Sequence, residues 1–242
     1  MIEFRQIDDA NPALTHSWMV RALEKTFAYI AENGGIGLTP SKAFKRVFVH
    51  WAAREFDWPG YTEEDLFAIN KVLNEIDFGP LMDLHDMMIA LKIGRHYKGQ
   101  FKLTKAGQGL VGHPGRVFGI VTPFYLFDVN HARFSRFDDE SVLGNWDVFL
   151  NVLNVETEDG ATGADLRRVL FGEPDLAGGF DDVLSSLYIQ VLRPLCWTGL
   201  LEGNRAKGLL RTRESTFTKT PLWRAALRLE TDGMGRGTTT KH

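Results

Sequence analysis

Seven histidines, one cysteine and one glycine-rich loop are the residues in this chain with the most chemical potential. Their spacing argues against a catalytic centre. His16, His50, His85, His96, His113 and His131 include no pair four apart on one helix, the arrangement a histidine-based zinc site uses, so no metal is expected. His85 and Asp86 are adjacent, and adjacent helical residues point apart, so the pair reads as solvated rather than as a base with its acid. The stretch Gly34-Gly35-Ile36-Gly37-Leu38-Thr39-Pro40-Ser41-Lys42 lacks the Gly-Lys-Ser/Thr ending of a phosphate loop and follows a helix, so it reads as a helix-to-helix turn. Cys196 lies between Leu195 and Trp197 and is expected to be a buried, inert thiol. A single cysteine permits no intramolecular disulfide, which matches a reducing cytosol, and a cytoplasmic protein is expected. No catalytic residue and no cofactor are expected, and the chain is read as a non-enzyme.

Charge is the stronger signal. The formal net charge is -3, yet cations and anions are segregated. No acid lies between Asp86 and Asp128, a stretch holding Arg95, His96, Lys98, Lys102 and Lys105. Between Gly203 and Leu229, Arg205, Lys207, Arg211 and Arg213 stand with Lys219, Arg224 and Arg228 against Glu214 alone. Lys42, Lys45 and Arg46 open a third stretch without acids. These twelve residues (Lys42, Lys45, Arg46, Arg95, His96, Lys98, Lys102, Lys105, Arg205, Lys207, Arg211 and Arg213) are the candidate phosphate contacts. Exposed hairpins are charged in any protein. The same sign in both stretches favours a nucleic-acid partner, duplex DNA first.

The elements that would carry these cations follow from helix and turn signals. Asn11-Pro12 opens a helix to Glu32, stopped by Asn33-Gly34-Gly35. Thr39-Pro40 starts a second helix to Phe56, with Lys42, Lys45 and Arg46 off its apolar face. Thr62 caps a helix to Ile76, and Pro80 opens another to Ile93, ended by Gly94. A hairpin turns about Gly99, and Thr104 caps a short helix. After an irregular bridge, helices are expected over 146–155, 162–171 and 180–197, the last kinked by Pro194. Strands at 200–201 and 209–217 follow, then a helix from Pro221. The tail 231–242 is expected to be flexible. The apolar run Val117–Phe127 is far short of the roughly 20 residues a membrane helix needs, and Met1–Asp9 has no signal-peptide character.

One pattern occurs twice: an apolar helix end, a basic hairpin, a threonine and a new helix. The first copy runs from Leu91-Lys92-Ile93-Gly94 through Phe101-Lys102-Leu103-Thr104-Lys105-Ala106-Gly107. The second runs from Leu195-Cys196-Trp197-Thr198-Gly199-Leu200 to Thr216-Phe217-Thr218-Lys219-Thr220-Pro221. Both copies resemble the winged-helix superfamily, and the junction resembles tandem winged-helix modules of uncharacterised bacterial plasmid and mobile-element proteins. The resemblance implies a mainly helical α+β fold with hairpin wings. It covers 41–111 and 143–229, within a domain plan of 1–112, a bridge 113–142, 143–230 and a tail 231–242.

A winged helix reads the major groove with its third helix. Here that helix carries Asp83, His85, Asp86 and Met87 outside its expected core face, and lacks the arginines and amides that read base edges. Contact is therefore expected through the wings, in a regulator or mobile-element accessory. The alternative is a protein–protein adaptor using the acidic third helices, with Met87 in an apolar patch. A small-molecule sensor comes third. The amphipathic stretch Leu14–Ile30 leaves a homodimer open.

Overall fold

The computed structural model describes residues 2–134, 145–174, 181–204 and 211–235. In chain order the elements are β1 (Glu3–Phe4), α1 (Trp18–Asn33), β2 (Ile36–Gly37), α2 (Arg46–Phe56), α3 (Glu63–Ile69), α4 (Gly79–Ala90), β3 (Gly94–Tyr97), β4 (Gln100–Leu103), α5 (Lys105–Gln108) and α6 (Pro114–Phe127). After them come α7 (Trp146–Glu156), β5 (Ala161–Thr162), α8 (Gly163–Phe171), α9 (Asp182–Leu187), α10 (Arg193–Trp197), β6 (Leu201–Asn204), α11 (Arg211–Glu214), β7 (Thr216–Lys219), α12 (Pro221–Ala226) and β8 (Leu227–Arg228). The fold is mainly helical with small antiparallel sheets, an α+β class.

Two compact units result. Residues 18–117 form one, and 2–17 join the chain from Phe118 onward in the other. Each contains helix, short strand, further helices and a hairpin, and each sheet places its last strand in the middle: β2-β4-β3 and β5-β7-β6. The registers coincide. Phe101 faces Ile36 and His96 across the ladder, and Phe217 faces Ala161 and Gly203. Both phenylalanines are fully buried. The first repeat thus begins at α1 and includes β2, an earlier start than the expected residue 41.

The expected stop at Gly94 lies elsewhere. Lys92 takes the left-handed conformation (φ 55°) and Gly199 its counterpart (φ 82°). Ile93 N–H then donates to the Met88 carbonyl, and Leu200 N–H to that of Leu195, each at 2.9 Å, the wrap-around bond of a Schellman ending. Gly94 is in β3 for another reason. A Cβ there would lie 2.0 Å from Phe101 Cζ, so the ring occupies the space of a side chain.

Other expected boundaries also move. Residues 39–45 form a bridged turn rather than the start of a helix: Leu38 pairs with Phe44, Lys42 has φ 68°, and α2 begins only at Arg46. Closing the turn buries Leu38 and Phe44, and that burial outweighs the propensity of Pro40 to begin a helix. The helix from Thr62 ends at Ile69 instead of Ile76, which frees Glu75 to turn inward from a short 3-10 turn, Glu75–Asp77. Asn11 caps a separate 3-10 turn, Pro12–His16, ahead of α1. Between α9 and α10 the chain widens into a π-helical stretch, Tyr188–Leu192, because Pro194 has no N–H to continue the regular ladder. Of the expected strand 209–217, Leu209 and Leu210 lie outside the described residues, and the rest is α11 followed by the start of β7. Here α11 closes on α8 so tightly that a Cβ on Gly163 would lie 2.1 Å from the Thr212 carbonyl oxygen.

Candidate functional site

The β3–β4 hairpin reverses through Lys98-Gly99, and both residues have positive φ (47° and 75°). Tyr97 pairs with Gln100, so this is a two-residue loop of type I′, whose twist suits the flanking strands. Strand alternation sends Gly94 and His96 inward and Arg95 and Tyr97 outward. On the outer face Arg95 stands directly opposite Lys102. Like charges so paired cost stability, by roughly 0.2–1 kcal/mol. No carboxylate relieves them: among the described residues Arg95, Lys98, Lys102 and Lys105 have no ion pair. Tyr97, 43% exposed, lies between the Arg95 guanidinium at 5.2 Å and the Lys98 ammonium at 5.3 Å. An exposed aromatic flanked by free cations suits a phosphate backbone with a base or sugar against the ring.

The inner face of the same hairpin ends a buried polar chain. The Glu75 carboxylate accepts the Phe44 N–H at 2.7 Å with Oε2 and faces His85 Nδ1 at 2.6 Å with Oε1. His85 Nε2 lies 2.8 Å from His96 Nε2. Phe44 stacks on the His85 ring (3.9 Å between centroids, 13° between planes), and Phe101 meets it edge-on. Glu75 and His85 are buried, whereas His96 reaches the surface. Burial, then the neighbouring His85 and Lys42, hold His96 below the usual histidine range, while Glu75 acts in the opposite sense. The Leu38 N–H donates to the Gly99 carbonyl at 2.9 Å, which anchors the Lys42 loop to the hairpin tip.

The twelve candidate cations therefore have different fates. Arg95, His96, Lys98, Lys102 and Lys105 share one hairpin and the turn that follows it. Lys42 and Lys45 are exposed on the bridged turn, not on a helix face, and the Lys45 chain lies over Gly37. Arg46, at the start of α2, donates from Nε to Asn74 Oδ1 at 3.0 Å. Arg205 and Lys207 lie outside the described residues. Arg211 and Arg213 belong to α11 rather than to a wing strand. For Arg211 the backbone alone is described, and Arg213 is half-buried.

Among the described residues, the β6–β7 pair carries different charges from β3–β4. By register, Glu202 and Thr218 occupy the places of Arg95 and Lys102. Lys219 and Arg224 both pair with Glu158, whose carboxyl is held below its usual range first by the Lys219 hydrogen bond. Nor is α4 an acidic outer helix. Asp83, His85 and Met87 are buried together with Met88, and Asp86 is the exposed carboxylate. Leu81, Leu84 and Met88 keep the expected apolar face in the core, so α4 is buried on a wider arc, with His85 on its polar side bonded to Glu75. Sequence spacing treated His85 and His96 as unrelated because they sit on a helix and a strand, eleven residues apart.

Among the described residues no group of histidines, cysteines and carboxylates has the geometry to hold a metal ion. None of their helices is long and apolar enough to cross a membrane. Two family models match the chain: the Y4jL N-terminal domain over residues 15–116 and the y4jL C-terminal domain over residues 135–221. The "Uncharacterized protein y4jL" of Sinorhizobium fredii (strain NBRC 101917 / NGR234) is 37% identical over 169 residues, spanning 70% of this chain and 76% of that protein. No solved structure matches the chain.

Proposed function

We propose that this chain, which belongs to the Y4jL family, is a non-enzymatic nucleic-acid-binding protein made of two winged-helix modules that grips duplex DNA through its first hairpin. The tandem reading is supported by the two sheets of identical order and register, each following a helix, a short strand and further helices. The observation that carries the nucleic-acid reading is the unpaired cationic face of β3–β4: Arg95 against Lys102, with Lys98 at the tip and Lys105 beyond it. A protein that keeps like charges opposed without a counterion has a surface ready for a polyanion. The burial of most of α4 argues for backbone contact by the wing over base reading by that helix. A cytoplasmic regulator or mobile-element accessory accords with such a binder.

Neutralising Lys98, Lys102 and Lys105 together with alanine is the direct test. The native protein should bind random duplex at low salt with a slope of log K against log salt of about -3 to -4, and the triple variant should lose about three units of that slope. An unchanged slope in a folded triple variant removes the hairpin as the contact. A second reading, an adaptor for a protein partner, is favoured by the exposed apolar side chains Val47, Ile69, Val72 and Ile76 on the same unit. Stoichiometric capture of a protein without any shift of duplex DNA would select it.

A further inference from the structure

The outward side of the first sheet brings together side chains from all three of its neighbourhoods. Gln100 of β4, the central strand, is flanked by Tyr97 of β3 and Gly37 of β2, so these three share one row. The next row sets Arg95 beside Lys102, and a Cβ on Gly35 would lie 3.4 Å from both Lys102 Cγ and Gln100 Oε1. On this side β2 therefore offers backbone and no side chain. The Lys45 chain crosses the bare strand, its Cδ 3.0 Å from where a Gly37 Cβ would stand. One aromatic ring and one primary amide are thus bordered by three cations, while Ile36 and Phe101 fill the opposite, buried side.

We propose that this sheet face binds single-stranded DNA, with one unpaired base against the Tyr97 ring, its edge at the Gln100 amide and its flanking phosphates on Arg95, Lys102 and Lys45. The inference rests on the nucleic-acid reading and adds an unpaired strand to the duplex as a ligand of the same hairpin. Three observations favour it. Tyr97 is the exposed aromatic of the face, and a ring standing on a sheet meets the flat side of a base only where no neighbouring base covers it, as in an unpaired strand. The half-buried Gln100 amide makes no hydrogen bond among the described residues, and it carries both the donor and the acceptor that a base edge needs. The Arg95 guanidinium and the Lys98 ammonium have no partner there besides the Tyr97 ring, so a base that takes the ring releases both to phosphates.

Base and phosphate contacts separate cleanly in a strand stripped of its bases. Such a strand keeps every charge that Arg95, Lys102 and Lys45 would meet, and loses only what the ring and the amide would hold. Stacking of one base on one aromatic ring is worth about tenfold in affinity, so the bases should carry a measurable share of binding beside the phosphates.

The experiment measures binding at low salt of three DNA probes, each about twelve nucleotides long: a thymidine strand, the same strand with tetrahydrofuran in place of every base, and a blunt duplex. The native chain should bind the thymidine strand about tenfold more tightly than the baseless one. Tyr97→Ala should abolish that ratio and Tyr97→Phe, which keeps the ring, should retain it, with circular dichroism to check folding. In the native protein, a strand bearing 5-iodouracil should cross-link to Tyr97 on irradiation, which mass spectrometry locates without any variant. Equal native affinity for the two strands, or a ratio that survives in Tyr97→Ala with cross-links elsewhere, overturns the inference. Duplex binding without strand binding also overturns it and leaves the nucleic-acid reading standing. Base-dependent strand binding without duplex binding supports the inference and removes the duplex from that reading. No binding of any probe overturns both.

Discussion

Gly94 and Phe101 show how one residue can set the geometry of a site. The Phe101 ring fills the space above the Gly94 Cα, with Cζ only 2.0 Å from where a Cβ would stand. That placement leaves room for His96, the cross-strand partner of Phe101, to turn inward toward His85. Gly94→Ala should push the ring aside and destabilise the N-terminal unit by about 1–3 kcal/mol, the usual cost of overpacking. A shifted urea midpoint at unchanged slope would measure it. It should also disturb the His85–His96 contact, visible as a changed His96 tautomer. An alanine variant with native stability and native imidazole signals would contradict this account. The glycine was visible in the sequence, where it read as a helix stop. Its packing role was not, because the ring that requires it arrives from the neighbouring strand.

At the scale of elements, the two repeats share a clip. Thr104 Oγ1 accepts the Gly107 N–H at 3.1 Å and donates to the Lys92 carbonyl at 2.6 Å. Thr220 Oγ1 accepts the Leu222 N–H at 3.1 Å and donates to the Gly199 carbonyl. Each threonine therefore caps the helix after the hairpin and ties it to the end of the helix before. Alanine at either position should cost about 1–2 kcal/mol, since both a cap and a carbonyl partner are lost. Thr104→Ser, which keeps the hydroxyl, should recover most of that in chemical denaturation. Equal losses for serine and alanine would mean that the methyl group, not the hydroxyl, matters. The clip was legible as a repeated Thr after a hairpin, because capping is a local interaction. The bridged turn at 39–45 was not legible, because Leu38 and Phe44 meet only once the core exists to bury them.

At the scale of the whole molecule, the first residues serve the second unit. Glu3 and Phe4 pair with Arg228 and Leu227, the Arg5 N–H donates to the Ala226 carbonyl at 2.7 Å, and the chain at His16 passes so close to Gly199 that a Cβ there would sit 2.4 Å from the His16 oxygen. Deleting residues 1–10 should speed amide exchange in α12 and β8 while leaving β3 and β4 unchanged. Uniform acceleration in both units would show that the arm supports the entire chain. The sequence by itself determined the mainly helical class, the first hairpin, the helix starts capped by Thr62 and Thr104 and the cation-rich stretch about Lys98. Each of these arises from neighbours in the chain, through periodicity, caps, turns and local charge. Tertiary structure alone decided that Glu75, His85 and His96 meet and that Lys219 and Arg224 are answered by Glu158. It also decided that α4 buries its polar residues and that only the first hairpin keeps its described cations unpaired. Those outcomes depend on which distant side chains burial brings within bonding distance, and no spacing along the chain encodes that distance.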